Sequence, residues 1–93
     1  MTLDLTATLE ERGKRYGSFA EHAEATQQLK GAMGIYLRRK PVGFLAPDQQ
    51  EALDMIAHKI GRIIVGDPDY VDNWHDIAGY AQLIANRLNE EER

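Results

Sequence analysis

The sequence predicts an all-α fold: an antiparallel helical hairpin packed on a third long helix, with a short N-terminal helix, in a single helical domain over residues 1–93. Three observations carry this expectation. Apolar residues recur at helical spacing in three long stretches, and no strand-like alternation or internal repeat occurs. Capping residues, glycine or proline bound each stretch. The link Gly66-Asp67-Pro68 between the last two stretches is so short that the helices on either side must run antiparallel.

Taken in order, Ala7 to about Lys14 reads as a short helix with Thr6 as its N-cap, and Leu5 and Leu9 give it little to bury. Gly13 and Gly17 bracket a turn at Lys14-Arg15-Tyr16. Ser18-Phe19-Ala20-Glu21 fits a capping box, in which the serine hydroxyl and the glutamate each take an orphan amide at a helix start. The helix it opens should run to about Arg38 or Arg39, with Phe19, Ala23, Thr26, Leu29, Met33 and Leu37 facing inward and Pro41 as its stop. Gly31 and Gly34 lie inside it and imply either close packing or a bend. His22, between Glu21 and Glu24, reads as a solvated helix face.

Val42 to Ala46 is a loop whose Phe44 and Leu45 should cover a core edge. Pro47 begins the next helix, with Asp48 favourable in its first turn. Leu53, Ile56, Ala57, Ile60, Ile63 and Ile64 give this helix the strongest amphipathic pattern in the chain. Gly66 should end it in a left-handed conformation, and Asp67-Pro68 should open the last helix as N-cap and first-turn proline. That helix runs to about Leu88 or Asn89, and Trp74, Ile77, Ala81, Ile84 and Leu88 form its expected core seam; a charged end, residues 90–93, follows.

The composition narrows the function classes. A net charge of −4, with acids and bases interspersed, argues against duplex nucleic acid as a partner, since phosphate neutralisation needs a basic surface. The absence of cysteine excludes disulfides, thiolate zinc sites and a cysteine nucleophile. Neither a secretory leader nor a membrane-length apolar run is present, so a cytoplasmic protein without membrane association is expected.

Folding the hairpin at Gly66 brings Arg62 to the level of Asp72, and His58 and Lys59 to the level of His75 and Asp76, because both helices rise about 1.5 Å per residue. Three readings of this polar layer follow. It can be interhelical ion pairs, Arg62 with Asp72 and Lys59 with Asp76, that fix register. It can be a phosphate site, with Lys59 and Arg62 as donors and the acids orienting them or holding Mg²⁺; Asp72, Trp74, Asp76 and Tyr80 complete that ligand set. The third reading is a metal site formed by Glu51, Asp54 and His58. No phosphate-cradling glycine loop occurs and no reaction can be named. The apolar surface of the last two helices exceeds what one further helix can cover, so a homodimer at least is expected, with Trp74 or its neighbours in the contact.

Arg15-Tyr16-Gly17-Ser18-Phe19, Lys59-Ile60-Gly61-Arg62-Ile63 and Asp72-Asn73-Trp74-His75-Asp76-Ile77-Ala78-Gly79-Tyr80-Ala81 together resemble a family of small phage and prophage proteins. That family, largely of unknown function, carries a Tyr/His-Gly-Asp segment, a Lys-x-x-Arg helix and an Asp-x-Trp-x-Asp-Ile-Ala-Gly-Tyr-Ala motif. The resemblance spans about residues 9–88, and Ser18 stands where the first motif has aspartate. A similar segment occurs in a nucleotide kinase of T7-like phages. The arrangement also looks distantly like the MazG-type all-α nucleotide pyrophosphatases, which hold Mg²⁺ on a nucleoside triphosphate with acids from several helices and assemble as dimers or tetramers. Glu21 with Glu24 and Glu51 with Asp54 are the pairs that this second resemblance implies. The functional expectation is a phage- or prophage-derived protein that binds a nucleotide or other phosphorylated small molecule. The alternative is a non-catalytic interaction module whose polar layer is structural.

Overall fold

The computed structural model describes residues 5–91, without the side chains of 13–15 and 91. Four helices make up the described chain: α1 (Leu5–Tyr16), α2 (Phe19–Leu37), α3 (Pro47–Val65) and α4 (Val71–Glu91). No strand occurs among the described residues, as the apolar periodicity required. Residues 92 and 93 of the expected charged end lie outside the described residues.

The ends of the helices follow local chemistry. Ser18 caps α2 by accepting the Glu21 amide at 3.1 Å, the serine half of the capping box. At the start of α3 the Gln49 side chain reaches back to accept the Ala46 amide at 2.8 Å, and Pro47 occupies the first turn, where a missing N–H costs nothing. α1 begins before Thr6, so that residue is helical rather than a cap, and it continues through Gly13 to Tyr16. The break between α1 and α2 spans Gly17 and Ser18, and the Gly17 φ of +78° is the left-handed conformation glycine tolerates.

The other expected left-handed glycine is not one. Gly66 ends α3 with φ −107°, and α4 starts at Val71 rather than at Pro68. Asp67 is not an N-cap but a turn former: its carboxylate accepts the Asp69 amide at 2.9 Å, and its carbonyl accepts the Tyr70 amide at 3.3 Å. The link is still short enough to reverse the chain. Asp48 at the start of α3 meets Arg87 near the end of α4, so the two helices are antiparallel.

α3 is the spine. It packs on α4 along one flank and on α2 along the other, α1 rests on α2 and α3, and α2 and α4 make no mutual contact among the described residues. The result is a layer about 52 × 30 × 26 Å rather than a closed bundle. Its core is thin: the buried apolar side chains among the described residues are Ala52, Ala57 and Ile63, all on α3. Leu53 and Ile64 of the amphipathic stripe stay 39 % and 73 % exposed.

The expected seam on α4 is rotated. Asn73 is its buried residue, and Asp76, Ile77, Tyr80, Ile84 and Arg87 are the half-buried ones. Trp74, Ala81 and Leu88 of that seam are exposed. Polar anchors hold this helix to α3, so a pattern read from apolar residues alone selected the neighbouring face. On α2, Phe19 is exposed instead of inward, and His22, expected in solvent, is 4 % exposed beside α3. Phe44 is 53 % exposed and covers little of the core, although Leu45 beside it is half-buried.

Candidate functional site

The three motif segments meet around the C-terminal half of α3. Gly17 sits so close to Val65 that a Cβ there would stand 2.5 Å from the Val65 carbonyl oxygen. A glycine with positive φ therefore lets the α1–α2 turn press against the end of α3. That approach sets the Tyr16 ring beneath the Arg62 guanidinium, 4.3 Å from its centroid, a stacking the planar, weakly hydrated guanidinium favours. Tyr16 also meets Tyr70 edge-on at 5.7 Å, and the Tyr70 hydroxyl donates to Asp72 at 2.8 Å.

One turn before Arg62, Lys59 reaches across to α4. Its ammonium lies 2.8 Å from the Asp76 carboxylate, with the lysine side chain 11 % exposed and the aspartate 46 %. The hydrogen bond from Lys59 lowers the Asp76 pKa below the ordinary carboxylate value, and the positive charges of Lys59, Arg62 and His75 act in the same direction. The Lys59–Asp76 pair expected from the fold line is therefore present. The Arg62–Asp72 pair is not: Asp72 accepts from Tyr70, and Arg62 turns to Tyr16.

Two hollows adjoin this layer. One, of about 480 Å³, is lined by His75, Asp76, Gly79, Tyr80, Gln82 and Leu83 on the outer flank of α4. The other, of about 370 Å³, lies where α1, the start of α2 and α3 converge, with Arg12, Tyr16, Ser18, Phe19, His22 and Arg62 among its walls. It is the more enclosed of the two and joins two guanidinium groups to two aromatic rings. Of the sequence-derived ligand set, Asp76 and Tyr80 thus line the first hollow, Lys59 is bonded to Asp76, and Arg62 faces the second. Trp74 stands apart. Its indole N–H donates to the Pro68 carbonyl at 2.8 Å and pins the α3–α4 link.

Arg12, Tyr16 and Phe19 line the hollow beside Arg62, although the sequence reading did not place them there. The available signal was Gly17, whose neighbour Tyr16 belongs to the same motif segment as Ser18 and Phe19, but sequence distance gave no reason to pair that segment with Arg62.

The structure does not gather Glu51, Asp54 and His58 around one point. No group of three or more His, Asp or Glu side chains able to hold a metal ion occurs among the described residues. Glu51 is exposed, and Asp54 accepts from the Gln50 amide at 3.1 Å. His58 turns toward α2, where its ring lies 4.4 Å from that of His22, and its backbone carbonyl accepts from His22 Nε2 at 3.0 Å. Burial, with the nearby positive charges of His22, Arg62, Lys59 and Lys30, lowers the His58 pKa to about 4, so the ring is neutral at pH 7. The implied acid pair on α2 likewise gathers no third ligand: Glu21 and Glu24 are exposed, and Glu24 accepts from Gln28 at 3.4 Å.

No helix among the described residues is long and apolar enough to cross a membrane. No curated protein and no solved structure matches the chain. A family model does match, over residues 5–88, a span that includes all three motif segments and both hollows. The chain belongs to that family, the domain of unknown function DUF6378.

Proposed function

We propose that this protein, phage- or prophage-derived by its motif resemblance, binds a nucleotide or another phosphorylated small molecule at the polar layer of α3, as a homodimer or larger assembly. The observation that carries the reading is the gathering of Arg62, Arg12, Tyr16 and Phe19 around one hollow. Guanidinium groups supply the forked donors that suit phosphate oxygens, and an aromatic wall suits the flat part of a nucleotide. Tyr16 under Arg62 holds that guanidinium in place before any ligand arrives, which lowers the ordering cost of binding. Lys59, held by Asp76 one turn away, adds positive potential, and Asp72 acts on the site through Tyr70 and Tyr16. Mg²⁺, where it takes part, arrives on the phosphates.

A second reading, a non-catalytic interaction module, has its own support. Lys59 is already paired, and Trp74 spends its N–H on the chain itself, as structural residues do.

A thermal-shift screen of nucleotides with and without Mg²⁺ separates the two, because a ligand that binds only the native state raises its melting temperature. The phosphate reading predicts a rise for wild type, and no rise for an Arg62→Gln variant that melts normally without ligand. A wild-type protein that responds to no nucleotide removes that reading and leaves the interaction module.

A further inference from the structure

The two open faces of α3 are opposite in chemistry. Between its flanks with α2 and α4, one face carries Glu51, Asp54, His58 and Arg62, and α1 covers the Arg62 end. The other carries Gln49, Leu53, Ile56, Ile60 and Ile64, with no charged side chain along its length. Two apolar grooves flank this second stripe. Toward α4 the groove includes Leu45, Ala52, Ala81 and Ile84 beside Leu53 and Ile56. Toward α2 it includes Ala25, Leu29 and Ala32 beside Ile60 and Ile64. Stripe and grooves form one continuous apolar surface across three helices.

The exposed area leaves room for a contact of protein size. The chain exposes 7034 Å², whereas a folded monomer of 10.5 kDa exposes about 5,400 Å². The excess is about 1,600 Å², and half of it already equals the ~800 Å² per partner of a standard interface. The radius of gyration, 16.2 Å, likewise exceeds the ~12 Å of a compact chain of this length. With its buried apolar side chains confined to Ala52, Ala57 and Ile63, the described fold needs that cover constantly, and a second copy is always at hand.

The stripe also matches itself. Ile56 and Ile60 lie two residues either side of His58, with Leu53 five residues before it and Ile64 six after. Two such stripes laid antiparallel about a two-fold axis near His58 set apolar residues against apolar residues throughout. A two-fold contact requires a self-complementary patch of this kind.

The geometry points to a two-fold homodimer formed through this α2–α3–α4 face, with α3 against its own symmetry copy. The Arg62 hollow lies on the opposite face of α3, so each protomer keeps that hollow directed away from the contact. Trp74 stands beside this contact rather than at its centre.

Sedimentation equilibrium of the full chain at micromolar concentrations tests this, with two glutamate variants of similarly exposed aliphatic residues, Ile64 at 73 % and Leu83 at 65 %. The expected result is a wild-type mass twice 10.5 kDa, the same mass for Leu83→Glu, and a monomer for Ile64→Glu. Should Ile64→Glu lose its helical signal, Ile64→Ala is read instead and should weaken the dimer at least tenfold. A wild-type mass of 10.5 kDa throughout, an Ile64→Glu dimer, an Ile64→Ala dimer of unchanged affinity, or dissociation by Leu83→Glu would each overturn the assignment.

Discussion

The two flanks of α3 are held by different forces. Toward α2 the contact is steric and close. A Cβ on Gly61 would stand 2.4 Å from Thr26 Oγ1 and 2.9 Å from His22 Cδ2, so the helices approach because a side chain is missing. Toward α4 the contact is made by charge. Lys59 pairs with Asp76, and Arg87 grips Asp48 through two nitrogens, the second at 2.7 Å. A close contact is intolerant of added volume, and an ion-paired one is weakened by the loss of either charge. The comparison teaches that one helix can dock its neighbours by two mechanisms, and that the two should fail under different insults.

Added volume should give the largest effect. Gly61→Ala overfills the α2 contact and should lower stability by about 1–3 kcal/mol in urea melts, despite alanine's better helix propensity. An unchanged or raised midpoint would show that α2 does not lie this close.

On the α4 flank, the order of two variants is diagnostic. Asp76→Asn leaves the nearly buried Lys59 ammonium without its carboxylate, whereas Lys59→Met leaves only a half-exposed Asp76. Asp76→Asn should therefore lower the melting temperature more than Lys59→Met. The opposite order would show that the pair is not the anchor on that flank.

Acid should release the flanks in sequence. The His58 pKa falls from 6.5 to about 4 on folding, chiefly by burial, so the unfolded chain binds the proton more readily. The stability tied to neutral His58 is complete above pH 6.5 and is lost as pH falls toward about 4. Asp76 and Asp48 have pKa values lowered below 3.8, first by the hydrogen bonds from Lys59 and Arg87. Their contribution is complete above pH 3.8 and is lost only below it. Urea melts from pH 7 to 4.5 should weaken in wild type and much less in His58→Gln. Equal slopes would remove His58 from the account.

The smallest effect has the opposite sign. A Cβ on Gly31 meets nothing within 4 Å, so Gly31→Ala should gain about 0.5–1 kcal/mol from helix propensity alone. A loss would reveal a close neighbour on that face.

This contrast also marks what the sequence made legible. Lys59–Asp76 could be anticipated, because a short link, a fixed rise per residue and opposite charges suffice to pair them. The α2 contact could not. Gly31, Gly34 and Gly61 look alike in sequence, and only the packed helices reveal that Gly61 is the one approached. The same holds for the two turns: Gly66 looked left-handed, yet Asp67 closes that link while Gly17 supplies the positive φ. Arg62 was expected beside Asp72 but stacks on Tyr16, which comes from a segment more than forty residues away. The fold class rests on periodicity, which is local. The rotation of α4 and the hollow at Arg62 depend on distant contacts that periodicity does not encode.

The claim that Arg62 and its aromatic support form an anion-binding site is tested most directly by titration calorimetry of a nucleoside triphosphate with Mg²⁺ into wild type and Arg62→Gln at two salt concentrations. The account predicts binding to wild type with one ligand per chain, weaker at higher salt, and none to the equally folded variant. Equal affinity for the two proteins, or no binding heat from wild type, would contradict it.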